Sequence, residues 1–556
     1  MISDELVKWH IKRFTYKQKD RANFDTMWQE IAELMYPAHA NFIYQGTGGE
    51  KRMQKVYDSA AIHSNELLSS GLFSLLTSSA SKWFEIRPVN WQLYQIKAVQ
   101  DYLSTISRIM YHEINRPVAG FNTAMHENYL GYGAFGNLTT FVEELPEKQS
   151  LLFQALPLYE CYYSQNQHGT VDTLYRKYTR TIEQLIRKFD KEKLSPAVQK
   201  LANDNKLDKP IECLHLICPR ETANMLSMKA TDKPFASVYI ECKEKHVIHE
   251  GGFDELPFMA ARFYKESFET YGRGPGATTL PDVKMLMRVA QVTIRAMQKS
   301  TDPPIMLPDG GFLKPFRTTP GGINYYRKGR VNLKNDIDIL PTGNAVLGME
   351  YSDSLHRRIR EAFFVDQLQL TQGPQMTATE VLQRTEEKLR LMGPLLGRIQ
   401  MELLGPMIIR VHNILKRMGK FPESPMELDG EDVKIVYTSP IARAQEQVEA
   451  NGLMRAFGVV EPLMKYDPQS NMMDVFNTDE MVKGVFEMFS VNSKFINDDK
   501  IIKQIRKARA DAEKAKQDAE NLRAMGQGAQ SMAQAGATAQ EAGMMPEEGA
   551  GFGTLQ

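Results

Sequence analysis

The side chains best suited to do chemistry in this chain are six potential zinc ligands: Cys213, His215, Cys218, Cys242, His246 and His249. Thiolate and imidazole are the ligand types that zinc prefers. Their spacing argues against one shared ion. Cys213, His215 and Ile217 alternate along an expected strand, which turns Cys218 to the face opposite Cys213. No C-x-x-C pair is present. Small buried cysteines and rim histidines account for the same residues more simply. Asp336 and Asp338 are spaced to share a strand face, but nothing beside them in sequence would tune them into an acid–base pair.

Phosphate-binding signatures fail in the same way. Gly46-Thr47-Gly48-Gly49-Glu50-Lys51 lacks the spacing and the following Ser/Thr of a phosphate loop. Gly272-Arg273-Gly274-Pro275-Gly276 is not a dinucleotide fingerprint, because Pro275 and the missing third glycine spoil the turn. It reads as a hinge-like loop. Neither a G-x-S-x-G elbow nor an H-E-x-x-H helix occurs.

Charge gives a stronger signal. Lys284, Arg288, Arg295 and Lys299 are spaced 4, 7 and 4 apart between Leu280 and Ser300. On a helix they fall within roughly 60° of one another. Gln291 and Gln298 flank them, and the rest of the circumference is mostly apolar, so this helix is expected to bury well over half its surface. Two placements satisfy that pattern: a core helix with a charged rim, or a helix packed between neighbours with one cationic line facing a polyanion. A second basic stretch follows, with Lys314, Arg317, Arg327, Lys328, Arg330 and Lys334 and no acid from Gly310 to Asn335. It reads either as a solvated loop or as a surface for a partner or phosphate.

The elements that must position these residues can be read from periodicity and turn chemistry. A length of 556 residues suits three or four domains. The 42% hydrophobic and 24% charged content is that of an ordinary globular protein. Net charge is zero, so no whole-chain field draws it to DNA or to an anionic membrane. Four cysteines in so long a chain do not make a disulfide framework. Met1-Ile2-Ser3-Asp4-Glu5 does not read as a signal peptide, and no apolar run reaches the length of a membrane span.

Residues 1–36 read as helix, with Phe24, Trp28, Ile31 and Met35 as its apolar edge. Helices follow near 59–78, 92–114 and 121–132. β patterning runs from Phe135 to Tyr178 and returns at 211–218, 236–242, 246–250 and 257–264. Thr181 with Gln184 forms a capping box for a helix to about Phe189, and Thr377 with Glu380 forms a second one. Gly393-Pro394 and Gly405-Pro406 must kink or break the helical region that follows. The expected fold class is α+β and mainly helical.

Several segments, in this order and spacing, resemble the portal proteins, or head-to-tail connectors, of short-tailed, podovirus-type bacteriophages. They are Tyr57-Asp58-Ser59 with Lys82-Trp83-Phe84, then Gly131-Tyr132-Gly133-Ala134-Phe135-Gly136-Asn137, then Tyr271-Gly272-Arg273-Gly274-Pro275. Asp302-Pro303-Pro304 follows, then Met376 to Val381 with Arg384 and Glu387, and finally Tyr437 to Gln445. The resemblance covers roughly residues 10–520. It implies a ring, usually of twelve copies, at one capsid vertex, carrying double-stranded DNA.

The resemblance also implies a division of the chain. Residues 1–270 would be an α/β wing, 271–299 a hinge and first stem helix, 300–344 a small β-containing clip, and 345–366 a second stem helix. Residues 367–378 would be a channel loop, 379–437 a kinked wing helix and strand, and 438–525 a helical crown. The composition of residues 526–556 reads as a disordered Gly/Ala/Gln-rich tail.

DNA-channel candidates are then Lys284, Arg288, Arg295, Lys299, Gln372 and Gln375. The clip cations Lys314, Arg317, Arg327, Lys328, Arg330 and Lys334 become docking candidates for the motor and adaptor. Implied partners are the terminase large subunit, tail adaptor and tail tube proteins, and the major capsid and scaffolding proteins. No catalytic, metal or cofactor site is expected, and the place of action is the virion after assembly in the host cytoplasm. The competing readings are a zinc-dependent enzyme built on Cys213, His215, Cys218 and Cys242, and a simple sequence-independent DNA-binding protein.

Overall fold

A computed structural model describes residues 4–301 (apart from 45, 81, 95, 222–226 and 228), 305–306, 325, 338–339, 345–368, 392–428, 433–437 and 499–541. The helices are α1 (Asp4–Met35), α2 (Ala60–Leu76), α3 (Trp91–Tyr94), α4 (Lys97–Ile114), α5 (Phe121–Phe135), α6 (Ile182–Phe189), α7 (Pro196–Asn203), α8 (Pro275–Thr301), α9 (Ala345–Ala362), α10 (Val365–Leu368), α11 (Gly405–Arg417) and α12 (Asp499–Glu541). The strands are β1 (Phe84–Pro88), β2 (Asn137–Leu145), β3 (Ser150–Ala155), β4 (Cys161–Gln165), β5 (Val171–Thr181), β6 (Pro210–Pro219), β7 (Phe235–Glu241), β8 (His246–Phe253), β9 (Phe258–Arg262), β10 (Ile305–Met306), β11 (Asp338–Ile339) and β12 (Val433–Tyr437).

Every described strand pair is antiparallel. A three-stranded sheet runs β3-β2-β9 and a five-stranded sheet runs β4-β5-β6-β7-β8. β1 pairs with β12, so a strand near residue 86 meets one near residue 435. The fold is thus a mixture of helix and antiparallel sheet.

The main core joins α1, α2, α4, α5, the three-stranded sheet, the start of α8, the end of α9 and α11. Trp28, Ile31 and Met35 are fully buried in it, as the periodicity of α1 requires. The five-stranded sheet has two apolar faces. One packs α6 and α7 over Tyr178, Cys213, Tyr239 and Ile248. The other packs the start of α1, through Val7 and Phe14, over Tyr175, Leu214 and Leu216. The Thr181–Gln184 capping box is formed at the N-terminus of α6.

Three expectations need correction. The second long helix does not run unbroken to 366: it ends at Ala362, Phe364 takes a left-handed φ of 56°, and α10 restarts at Val365. The residues around 92–114 form two helices, α3 and α4, rather than one. Helix α12 continues to Glu541, sixteen residues into the stretch whose composition reads as disordered; its many alanines and glutamines are good helix formers even without a large apolar face. The Thr377–Glu380 capping box lies outside the described residues.

Candidate functional site

Helices α8 and α9 pack against each other and are rooted in the main body. The root is built from two of the glycine motifs. Gly136 ends α5 with a left-handed φ of 74°, and a Cβ there would lie 2.2 Å from the Gly274 nitrogen. The relation is reciprocal, since a Cβ on Gly274 would lie 2.7 Å from the Gly136 nitrogen. A Cβ on Gly276 would meet the Ala134 carbonyl oxygen at 2.2 Å. Only glycine lets these two backbones touch.

Asn137 stitches the contact. Its amide donates to the carbonyls of Phe135 (3.0 Å) and Gly272 (2.9 Å), and its side-chain oxygen accepts from the Gly272 N–H at 2.8 Å. Tyr271 is buried against Phe24, Trp28 and Tyr163, and its hydroxyl accepts from the Tyr163 N–H. Arg273 closes on Glu269 and lies over the Phe24 ring. The segment expected to be a hinge is therefore a clasp. Its glycines serve close approach rather than freedom of motion.

A second set of contacts holds the helix pair from the side. Lys284 pairs with Glu30 of α1 at 2.6 Å. The Tyr57 N–H points at the Met287 sulfur, and the Tyr57 hydroxyl accepts from the Gln291 amide at 3.0 Å. Asp58 does two jobs: one oxygen accepts from the Ala60 N–H to start α2, and the other meets His356 of α9 at 2.8 Å. Asp282 and Arg358 pair across α8 and α9 at 3.3 Å. Gly348 allows close approach of α9 to α8, because a Cβ there would sit 2.4 Å from the Thr293 hydroxyl.

Beyond this root the two helices change character. In α8 the fully buried positions end at Met287. Val292, Ile294 and Met297 are all more than a third exposed, as are Met349 and Tyr351 of α9. The expectation that this helix buries most of its circumference holds only for its first half. Among the described residues, α9 packs against the second half, where Gly348 meets Thr293. Of the cationic stripe, Arg288, Arg295 and Lys299 are exposed, and Arg288 donates to the neutral Gln291 at 3.1 Å. Lys284 is exposed as well, but Glu30 compensates its charge.

Gln372, Gln375, Lys314, Arg317, Arg327, Lys328, Arg330 and Lys334 lie outside the described residues. Between α8 and α9, strands β10 and β11 pair Ile305 with Ile339 and Met306 with Asp338.

The Gly405-Pro406 break is resolved by a π turn. Gln400–Leu404 widens the helix by one residue, and the Gly405 N–H reaches back to the Gln400 carbonyl, which also accepts from the Tyr437 hydroxyl. A π turn is how a helix absorbs a proline that cannot donate. It presents Glu402 to Arg262, which donates to it through its backbone N–H (2.9 Å), Nε (3.3 Å) and Nη2 (2.7 Å). Arg410 donates to the Val142 carbonyl and pairs with Glu255, and burial pulls its guanidinium down to about 10.

The zinc reading finds no support. Cys213 lies on one face of the five-stranded sheet, while Cys218 and Cys242 pack on the other. The His215 ring stacks on Tyr239 at 3.9 Å and bonds Ser237 through Nε2, and burial holds it neutral, well below its ordinary pKa. His246 faces the Lys193 carbonyl. Among the described residues no three His, Cys, Asp or Glu side chains are placed to hold a metal ion.

The sequence model of the bacteriophage head to tail connecting protein family matches residues 8–496. The chain belongs to that family. Over 516 residues it is 28% identical to the "Probable portal protein" of Bordetella phage BPP-1, covering 90% of this chain and 91% of that one. Over 509 residues it is 26% identical to the "Portal protein" of Salmonella phage epsilon15, covering 90% of each. Among solved structures, the neck of an empty gene transfer agent particle covers 79% of this chain and 95% of its own at 11% identity, with a TM-score of 0.37. The virion of a native gene transfer agent particle covers 75% and 92% at 10% identity, with a TM-score of 0.34. Among the described residues, no helix of this head-to-tail connector is long and apolar enough to cross a membrane.

The sequence pointed to the Gly131–Asn137, Tyr271–Pro275 and Tyr57–Ser59 segments without revealing that they meet at the root of one helix pair. Glu30, His356 and Glu402 were not singled out. Each is an ordinary charged residue on a helix, and its partner lies far away in sequence.

Proposed function

We propose that this head-to-tail connector is the subunit of a closed ring of about a dozen copies at one capsid vertex. Double-stranded DNA passes through the ring during packaging and again during ejection. The observation that carries this reading is the rooted pair α8 and α9, whose outer half leaves both apolar side chains and a line of cations uncovered. A neighbouring copy would cover the apolar side chains. Arg288, Arg295 and Lys299 would then offer weak, sequence-independent phosphate contacts, which hold a duplex without reading its bases. Gln372 and Gln375 join them as neutral channel candidates. Lys284, neutralised by Glu30, acts instead as a strut between α8 and α1.

In this reading the protein is structural. The ATP chemistry of packaging belongs to the terminase large subunit, which docks on residues 300–344 through Lys314, Arg317, Arg327, Lys328, Arg330 and Lys334; the tail adaptor later takes the same place. Residues 1–270 and 379–437 act as the wing toward capsid and scaffolding proteins, and 438–525 as the crown. Two experiments test this. Negative-stain images of the purified chain should show rings with a central hole and a mass near a dozen chains of 63.3 kDa; a compact monomer would contradict the ring. Neutralising Arg327, Lys328 and Arg330 should abolish terminase or adaptor binding while rings persist, and loss of the rings themselves would overturn the docking role.

A further inference from the structure

Helix α12 spans Asp499–Glu541, 43 residues. From Ile501 to Arg523 every side chain except the half-buried Ile502 is exposed. Three of its four large apolar groups in that stretch, Ile501, Ile505 and Leu522, are 40% exposed or more. A lone polar helix does not ordinarily present three such residues on one line. Stepping 4-3-4-3-4-3 from Ile501 meets Ile505, Ala508, Ala512, Ala515, Ala519 and Leu522. That is an unbroken apolar seam with a period of 3.5 over three heptads, the repeat of a left-handed coiled coil. In heptad terms Ile501, Ala508, Ala515 and Leu522 take d, and Ile505, Ala512 and Ala519 take a.

The flanking charges carry a second and independent signal. The e positions are Ile502, Arg509, Lys516 and Arg523, the last three cationic, and the g positions are Gln504, Asp511 and Asp518, the last two acidic. In a parallel, in-register pair, each g residue faces the e residue five positions later on the other helix. Asp511 then meets Lys516 of the second copy, and Asp518 meets Arg523 of the second copy. An antiparallel pair would instead set acid against acid and base against base. The charge pattern therefore fits this same helix, in the same direction, better than the reversed arrangement.

We propose that α12 is a self-recognition element: residues 501–523 pair in parallel and in register with the same helix of a second copy of this chain. The four alanines let the two axes approach to about 8 Å, the short end of helix packing distances. They bury little area, so the seam is weak alone and gains its strength from copies already held together, by effective concentration. The g–e′ charges then set direction and register.

The test uses the full chain. Its native cysteines are buried (Cys161, Cys213) or half-buried (Cys218, Cys242), so the unsubstituted chain provides the baseline. Ala515→Cys places a thiol on the seam, and Gln517→Cys places one on the solvent-facing side two residues away. Under mild oxidation, Ala515→Cys should give a covalent dimer that Gln517→Cys does not. Adding Asp511→Lys and Asp518→Lys to Ala515→Cys should abolish that dimer, and further adding Lys516→Asp and Arg523→Asp should restore it. Equal cross-linking at 515 and 517, or cross-linking indifferent to the charge reversal, would overturn the proposal. The oligomeric mass of the same samples separates the two readings. Rings without a 515 cross-link would defeat this inference and leave the ring standing, while a 515 cross-link without rings would do the reverse.

Discussion

The two halves of α8 differ more than their sequences suggest. From Pro275 to Met287 the helix is seated in the body: glycines touch backbone to backbone, Asn137 makes three hydrogen bonds, and Leu280, Val283 and Leu286 are buried. From Arg288 onward the same helix carries Val292, Ile294 and Met297 into solvent. One half is buried within the chain, and the other leaves its apolar side chains exposed. Close backbone packing leaves no room for change, whereas an exposed apolar face marks a surface meant to be covered.

That contrast can be broken or sharpened by substitution. The largest loss is expected for Gly136→Ala, which combines a left-handed backbone with a Cβ 2.2 Å from the Gly274 nitrogen; about 4 kcal/mol from strain and overpacking together, read as a shift in urea midpoint. A loss below ~1 kcal/mol would mean the clasp yields. Glu402→Ala removes the partner of Arg262, which is 3% exposed, and should cost about 3 kcal/mol because a buried cation is left unpaired. Asn137→Ala should cost about 2 kcal/mol by leaving buried backbone groups of Gly272 and Phe135 without partners.

Acid should erode the body next. His10 and His39 are both held neutral, their pKa lowered to about 4, first by burial and then by Arg13 and Arg52 respectively. The unfolded chain binds their protons from about pH 6.5 downward, so the folded state loses stability as pH falls from about 6.5 to 4 and recovers it in full above that range. Replacing both with Gln should flatten the urea midpoint across that window; an unchanged slope would show that other groups control it. The smallest effect on the single chain is expected on the outer half of α8. Val292→Gln with Met297→Gln should change subunit stability by less than about 0.5 kcal/mol while reducing ring formation. A loss as large as that of Asn137→Ala would erase the contrast.

Much of the fold was legible in the sequence because its signals are local. The capping box at Thr181, the edge of α1 and the β patterning at 211–218 all follow from spacing within a few residues, and all are present in the structure. The alternation that separates Cys213 from Cys218 was equally readable. Long-range closure was hidden. Nothing in Gly272–Gly276 announces that its glycines answer Gly136, so a clasp read as a hinge. The half-covered state of α8 was also out of reach, because an apolar circumference does not say whether its own chain or another covers it. The heptad in α12 was hidden among alanines, which barely register as apolar, and its charges are informative only once a second copy is imagined.

The most direct test of the central claim is the native mass of the purified chain, measured beside that of the Val292→Gln, Met297→Gln variant. A closed ring of about a dozen chains for the parent, and folded lower-order species for the variant, would show that the outer half of the helix pair exists for its neighbours. A stable monomer of 63.3 kDa for the parent, or rings unaffected by both substitutions, would contradict it.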